Sequence, residues 1–457
     1  MNVPRMRILE SIFALAMLGA LGGCATYKAE PLALQPAWPA GVSRLKVDAG
    51  SMPLPELAAH TFDPRDGLDM TEVAMLAVAN NPQLKVARDD LGIAQAQAYA
   101  AGLLPDPQFS YSPQVPQNGT PGGNVTAYDT SLTFNLTALV LRSSRVAAAQ
   151  ANARQADLAL LWQEWQVVSQ ARLLFARDWG RKALLHILQE RRALAALRLS
   201  REKAAFADGN LTLTETTLAA DALQGIDKQI NETERLIAQN RHALNALLGL
   251  SPDTRLNLAG PPTPPVLDRN AIATRLPELA VRRPDLLALQ AGYDAQDRRV
   301  REAILAQFPA ISFGPLQARD NTGIIYDGFS LSLTLPIFNR NRGNVAIAEA
   351  TRHRMHDEFQ LRLNAAYGEV AQLLSDEALL EQQVQTLDQD LAGLSVLADR
   401  AQAALAAGNL GLPAYYGLKD AQTSKEIEKN ALTERMLEER IALQTLIGSD
   451  LPARAPN

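Results

Sequence analysis

Two hydrophobic patterns of different period divide this chain of 457 residues. In the first, Phe329, Leu331, Leu333 and Leu335 alternate with Ser330, Ser332 and Thr334. That is the period of two of a strand with one apolar and one hydroxyl-bearing face. Its span, Gly328 to Pro336, falls within the roughly 9–11 residues a strand needs to cross a bilayer. Leu132, Phe134 and Leu136 alternate with Thr133 and Asn135 in the same way. In the second pattern, Leu380, Val384, Leu387, Leu391, Leu394, Ala398, Ala401 and Leu405 recur at spacings of four and three, a heptad seam. No proline interrupts the chain between Pro336 and Pro413. The pattern therefore predicts a helix from about Asn344 to Ala407, about 95 Å long at ~1.5 Å per residue.

Taken in order, residues 24–66 are rich in proline (Pro31, Pro36, Pro39, Pro53, Pro55, Pro64) and read as an extended arm over the folded body. A first unit is expected over residues 67–250. Asp69 or Thr71 caps a helix that starts near Thr71, passes Asn80-Asn81-Pro82 and runs to Leu104, where Pro105 and Pro107 stop it. Strands follow at about 108–115 and 125–136, around a Gly/Pro-rich turn from Asn118 to Gly123. A helix from about Ser143 to Ala207, a reversal at residues 208–211 and a return helix to Leu248 complete the unit. Gly249 is placed as the glycine that ends that helix. Residues 251–275, with Pro252, Pro261, Pro262, Pro264 and Pro265, read as a linker. A second unit spans 276–450, with strands at about 309–318 and 328–336 and a tip at 407–410. Residues 451–457 form a tail.

The two units carry the same plan. Pro284, Pro309 and Ser312 stand 202 residues after Pro82, Pro107 and Ser110; Gly408-Asn409-Leu410 stands 199 residues after Gly209-Asn210-Leu211, as Gly448 does after Gly249. A run of matches in one order at nearly constant offset marks a tandem duplication of helix, strand, strand, long helix, tip and return helix. The fold class is thus mainly α with a small β part. Four strands per chain cannot close a membrane barrel, the smallest having about 8, and an open edge in lipid leaves backbone groups unpaired. Strands in a membrane therefore need further copies of the chain, and three copies supply twelve.

Composition narrows the function classes. Apolar residues make up 47% and aromatic residues 5%, which fits an Ala/Leu-rich helical body. The net charge is -5, with no basic block to bind nucleic acid. The single cysteine, Cys24, follows Arg5 and Arg7, the apolar run Ile12 to Leu21, and the small residues Gly22 and Gly23. Residues 1–23 resemble a bacterial lipoprotein signal peptide, which implies an acylated Cys24 and, with Ala25 beside it, sorting to the outer membrane. A lone cysteine excludes an intrachain disulfide. After the leader no apolar run reaches the ~18 residues of a membrane-spanning helix.

The whole plan resembles the TolC-type outer membrane factor family. The resemblance rests on Asn80-Asn81-Pro82-Gln83-Leu84, Leu104-Pro105-Asp106-Pro107, Arg282-Arg283-Pro284-Asp285-Leu286 and the two Gly-Asn-Leu tips. Leu335-Pro336-Ile337-Phe338-Asn339-Arg340-Asn341-Arg342-Gly343-Asn344 is similar to the strand-to-helix turn of the heavy-metal-efflux branch. The family implies a homotrimer with a 12-stranded transmembrane barrel on a long α-helical periplasmic barrel. It also implies a periplasmic adaptor and, through it, an inner-membrane pump of RND type. By position, Gly209, Asn210, Leu211, Gly408, Asn409 and Leu410 would meet the adaptor, although Gly and Asn also suit any tight reversal. Some relatives close the periplasmic aperture with carboxylates soon after the second tip. Here Pro413, Ala414, Tyr415, Tyr416 and Gly417 occupy that stretch and the first acid is Asp420, so Glu215, Tyr415, Tyr416 and Asp420 are the aperture candidates.

No catalytic or cofactor constellation is read from the chain: G-x-S-x-G, H-E-x-x-H and phosphate-loop patterns are absent. His353 and His356, with Glu349 one turn earlier, have metal-compatible spacing, but a solvated helix face accounts for them, and no metal site is assigned. Two functions compete. One is a passive exit duct of a tripartite efflux system. The other is a structural or adaptor-like coiled-coil periplasmic lipoprotein, which leaves the four strands unexplained.

Overall fold

The computed structural model describes residues 26–39, 47–117, 124–264 and 268–448. Cys24, the turn from Asn118 to Gly123 and the tail from residue 449 lie outside them. Residues 1–38 and 39–457 form separate units. In the first, the described residues lack helix and strand, and Leu32 and Leu34 are exposed.

The second unit is mainly helical with one small antiparallel sheet. Its elements run α1 (Pro55–Ala59), α2 (Met70–Asn80), α3 (Pro82–Gly102), β1 (Gln108–Gln114), β2 (Ala127–Asn135), α4 (Leu136–Ala207) and α5 (Leu213–Leu247). They continue α6 (Arg269–Arg275), α7 (Leu279–Arg282), α8 (Pro284–Leu305), β3 (Ala310–Arg319), β4 (Ile325–Thr334), α9 (Arg342–Ala406) and α10 (Leu412–Ile447). Helix, two strands, long helix and return helix thus occur twice in the same order.

Local chemistry sets the boundaries. Asp69, rather than Thr71, starts α2: its carboxylate accepts from Glu72 N at 2.7 Å while the Glu72 carboxylate accepts from Asp69 N, a capping box. Asn81 ends that helix and begins the next, its side chain accepting from Leu84 N with Pro82 in the first turn. Asn135 caps α4 by accepting from Ala138 N, so the helix begins at Leu136 and not near Ser143. At the far end of α5, Gly249 sits at φ 64° and Leu250 N donates to Asn245 O at 2.8 Å, closing the helix end. A Cβ on Gly249 would lie 2.7 Å from Asn80 O, so side chains are excluded there by sterics as well.

Helix α4 packs along α2, α3, α5, α8 and α10, while α9 packs along α8 and α10. The heptad seam of α9 holds its place: Leu380, Leu387 and Ala398 are buried and the seam positions between them are half-buried. The main core gathers Val73 to Val78, Leu84, Trp165, Val168, Ala171, Phe175, Leu244 and Leu248. Part of the expected arm joins it. Residues 55–59 form α1, and Leu54 and Leu57 are buried in this core, because apolar side chains among the prolines find an apolar floor. Arg172, buried in the same place, donates to Glu56 at 2.8 Å and to Gln444 at 3.0 Å, tying α1, α4 and α10 together.

Candidate functional site

The sheet order is β1-β2-β3-β4, antiparallel throughout, so β1 and β4 each pair on one side only. Residues opposite one another share a face. Phe109 opposes Leu132, Phe134 opposes Phe313, and Ile311, Phe313 and Pro315 oppose Leu333, Leu331 and Phe329. One face is therefore a continuous apolar field, with Phe313 and Phe329 stacked at 5.5 Å between centroids. The opposite face carries Ser110, Ser112, Ser131, Thr133, Ser312, Ser330, Ser332 and Thr334. Phe109, Phe329, Leu331 and Leu333 are all exposed, so no part of the described chain covers the apolar face. From Phe329 to Leu335 it extends about 20 Å at ~3.4 Å per residue.

That field has polar limits. At the end remote from the helices Gln317 Nε2 donates to Asp327 at 2.9 Å. The β3–β4 turn is closed by Asp320, which accepts from the Thr322 hydroxyl at 2.8 Å and from Ile324 N and the Tyr326 hydroxyl. The Thr322 hydroxyl above all, with those further donors, holds the Asp320 pKa at about 2.

Between the strands the fit is tight. From Tyr128 to Asn135, β2 pairs with β3 except at Leu132 and Thr133, which lie against Gly314 and Pro315. A Cβ on Gly314 would sit 1.8 Å from Leu132 O. Only glycine permits this approach of two backbones.

At the other end of the helices the two tips are built alike. Gly209 and Gly408 both lie at φ 75°. Asn210 N donates to Ala205 O and Asn409 N to Ala404 O, each at 2.8 Å. Beyond the turn they diverge. Thr212 and Glu215 form a capping box on α5, and the Thr212 hydroxyl and amide lower the Glu215 pKa. The second tip has no side-chain cap and enters α10 through Pro413. Glu215 is thus engaged in its own helix start. Tyr415 and Tyr416 stand 5.8 Å apart, and Tyr416 is buried. It lines a cavity of about 290 Å³ with Arg191, Arg198 and Asp420. Asp420 pairs with Arg191 of α4 at 2.7 Å, a partner the sequence pattern did not single out because it lies 229 residues away.

Among the described residues no group of three or more His, Cys, Asp and Glu is gathered to hold a metal. His356 lies 3.3 Å from Asp357. No described helix is long and apolar enough to cross a membrane, which does not bear on the strands.

Comparison with known proteins finds similar arrangements. Residues 276–449 match the family of outer membrane efflux proteins. That match spans the second of the two repeated units. It is 30% identical over 282 residues to outer membrane protein OprJ of Pseudomonas aeruginosa, covering 56% of this chain and 57% of that one. To the toluene efflux pump outer membrane protein TtgF of Pseudomonas putida it is 26% identical over 419 residues, covering 81% and 82%. To the cation efflux system protein CusC of Escherichia coli it is 24% identical over 262 residues, covering 52% and 55%. The chain therefore spans little more than half the length of OprJ and CusC in these matches. Crystal structures of CusC match 91% of this chain and 99% of theirs, at a TM-score of 0.68 and 19% identity. VceC of Vibrio cholerae matches 83% and 96%, at 0.69 and 16%. These likenesses establish that the chain shares their fold.

Proposed function

We propose that this chain is the passive outer-membrane exit duct of a tripartite efflux system. The observation that carries the proposal is the sheet, with an exposed apolar face, a hydroxyl-bearing face and two unpaired edges. An unpaired backbone group in lipid costs several kcal/mol, so β1 of one copy joins β4 of the next. Three copies close a twelve-stranded barrel, apolar side to lipid and serine and threonine side to the lumen. The long helices continue that lumen into the periplasm, where the tips meet an adaptor connected to an inner-membrane pump of RND type. Cys24 anchors the chain through lipid. The names of the relatives, a toluene efflux pump outer membrane protein and a cation efflux system protein, support this reading. The coiled-coil lipoprotein alternative gives the apolar face nothing to cover it.

The deciding experiment is the size and shape of the detergent-extracted protein, by light scattering and electron microscopy. A three-chain particle longer than about 100 Å, as a 72-residue helix demands, is expected. A monomer, or a protein released from membranes without detergent, would refute the channel. In cells, Cys24→Ser is expected to abolish palmitate incorporation; unchanged labelling would remove the anchor from the proposal.

The tips offer a separate test. In Gly209→Val and Gly408→Val a β-branched residue must adopt the left-handed conformation, at a cost of about 1–2 kcal/mol, although open space surrounds both positions. The three-chain particle is expected to survive while export falls. Export at the wild-type rate in both variants would separate the tips from adaptor contact.

A further inference from the structure

We propose that the passage from β4 into α9 is a binding site for anionic phospholipid of the leaflet on the helix side of the barrel. The inference rests on the channel reading above. The two halves of the chain make this passage differently. In the first, β2 ends at Asn135 and α4 begins at Leu136. In the second, residues 335–341 intervene between Thr334 and Arg342. This excursion continues the apolar face: Leu335 and Ile337 are exposed and Phe338 is 95% exposed. Arg340 and Arg342 follow immediately, both exposed.

The cations of the two passages are also differently placed. Arg142, after the first passage, donates to Gly102 O, and Arg145 pairs with Glu302 at 2.6 Å. Arg340 and Arg342 have no ion-pair partner among the described residues. The excursion that presents them is well anchored. Asn341 Nδ2 donates to Ala303 O of α8 at 2.8 Å, and Asn344 Nδ2 donates to Asn341 Oδ1 at 2.6 Å. An aromatic ring and two guanidinium groups are therefore offered together at the foot of the apolar field.

Charge complementarity selects the occupant. Guanidinium groups recognise phosphate oxygens through paired hydrogen bonds, and aromatic rings favour the level between acyl chains and headgroups. At the opposite end of the sheet Asp129, Asp320 and Asp327 stand beside a single Arg319. The phosphates of the outer leaflet therefore meet an acidic rim, and the phospholipid at the helix end meets a basic one.

The purified wild-type particle, exposed to equimolar phosphatidylglycerol and phosphatidylcholine, is expected to retain the anionic lipid preferentially in native mass spectrometry. The enrichment should be on the order of fivefold per arginine. Arg340→Gln with Arg342→Gln is expected to abolish the preference with the three-chain mass unchanged. Arg354→Gln, an exposed arginine farther along α9, should keep it. No preference in the wild type, or an undiminished preference in the double variant, overturns the site while leaving the channel standing. A wild-type chain that forms no three-chain particle and enters no vesicle overturns the channel reading, and the site with it.

Discussion

Gly314→Ala is expected to prevent assembly of the proposed barrel, although it adds one methyl group. The methyl carbon would lie 1.8 Å from Leu132 O, 2.7 Å from Leu132 C and 2.9 Å from Thr133 Cα, all backbone atoms of β2. A flexible side chain can swing away from such a clash, but a strand can yield only by moving apart. The place where it must yield is the β2–β3 pairing, which joins the hairpins of the two halves. The cost lies at or beyond the upper end of ordinary overpacking, about 3 kcal/mol. A control lies on the same face of β4. Gly328 has nothing within 4 Å of its Cβ position, so Gly328→Ala is expected to assemble normally. The fraction of chain recovered from membranes as a three-chain particle measures both. A fall on the order of a hundredfold for Gly314→Ala, the factor that about 3 kcal/mol gives, is expected against little change for Gly328→Ala. Equal recovery would mean that the hairpins do not depend on this approach.

Alternation alone was enough to find β4 but not to place its ends. Leu335 continues the apolar period, yet pairing stops at Thr334, opposite Ala310. The residue that precedes β3 and would face Leu335 is Pro309, which has no N–H to extend the ladder. At the other end Ile325 to Asp327 break the pattern but pair with Arg319 to Gln317, since backbone hydrogen bonds do not require apolar side chains. The start of α4 was obscured for the converse reason. Leu132 to Leu136 reads as one alternating run, and what divides it is a single cap by Asn135. The long helices were legible because a heptad seam accumulates evidence over many turns.

The candidate site divides along similar lines. Gly209 and Gly408 are recognisable as reversals because their chemistry is local, and the Thr212-x-x-Glu215 spacing is likewise a local capping-box signal. The Arg191–Asp420 pair and the approach of Gly314 to Leu132 join residues from opposite halves of the chain. Such contacts leave no periodic signal. They arise only when the two halves pack on one another.

Arg283→Met is expected to give the largest loss of stability in the helical part, for reasons of charge rather than volume. The Arg283 side chain is fully buried. It grips Asp285 with two parallel hydrogen bonds, of 3.0 and 2.7 Å, and its guanidinium stands 4.9 Å over the Trp162 ring of α4. Arg362 of α9 donates to the same carboxylate at 2.8 Å. Three long elements, α4, α8 and α9, therefore meet at one ion cluster. Burial alone would raise the Asp285 pKa, but the hydrogen bonds and charges of Arg283 and Arg362 more than offset it and hold the group below its ordinary value. Removing Arg283 strands part of that negative charge in the interior, at a cost of about 3–5 kcal/mol. Arg283→Lys keeps the charge but not the fork or the stacking, and should fall between. Because the folded-state pKa of Asp285 is depressed, its contribution is present above the ordinary carboxylate value and is lost as pH falls through the depressed one. The rate at which heated protein loses its helical signal should thus differ most between wild type and Arg283→Met near neutral pH. The gap should narrow on acidification below the carboxylate range. A gap that is absent at neutral pH, or that widens in acid, would show that the cluster does not hold the three helices together.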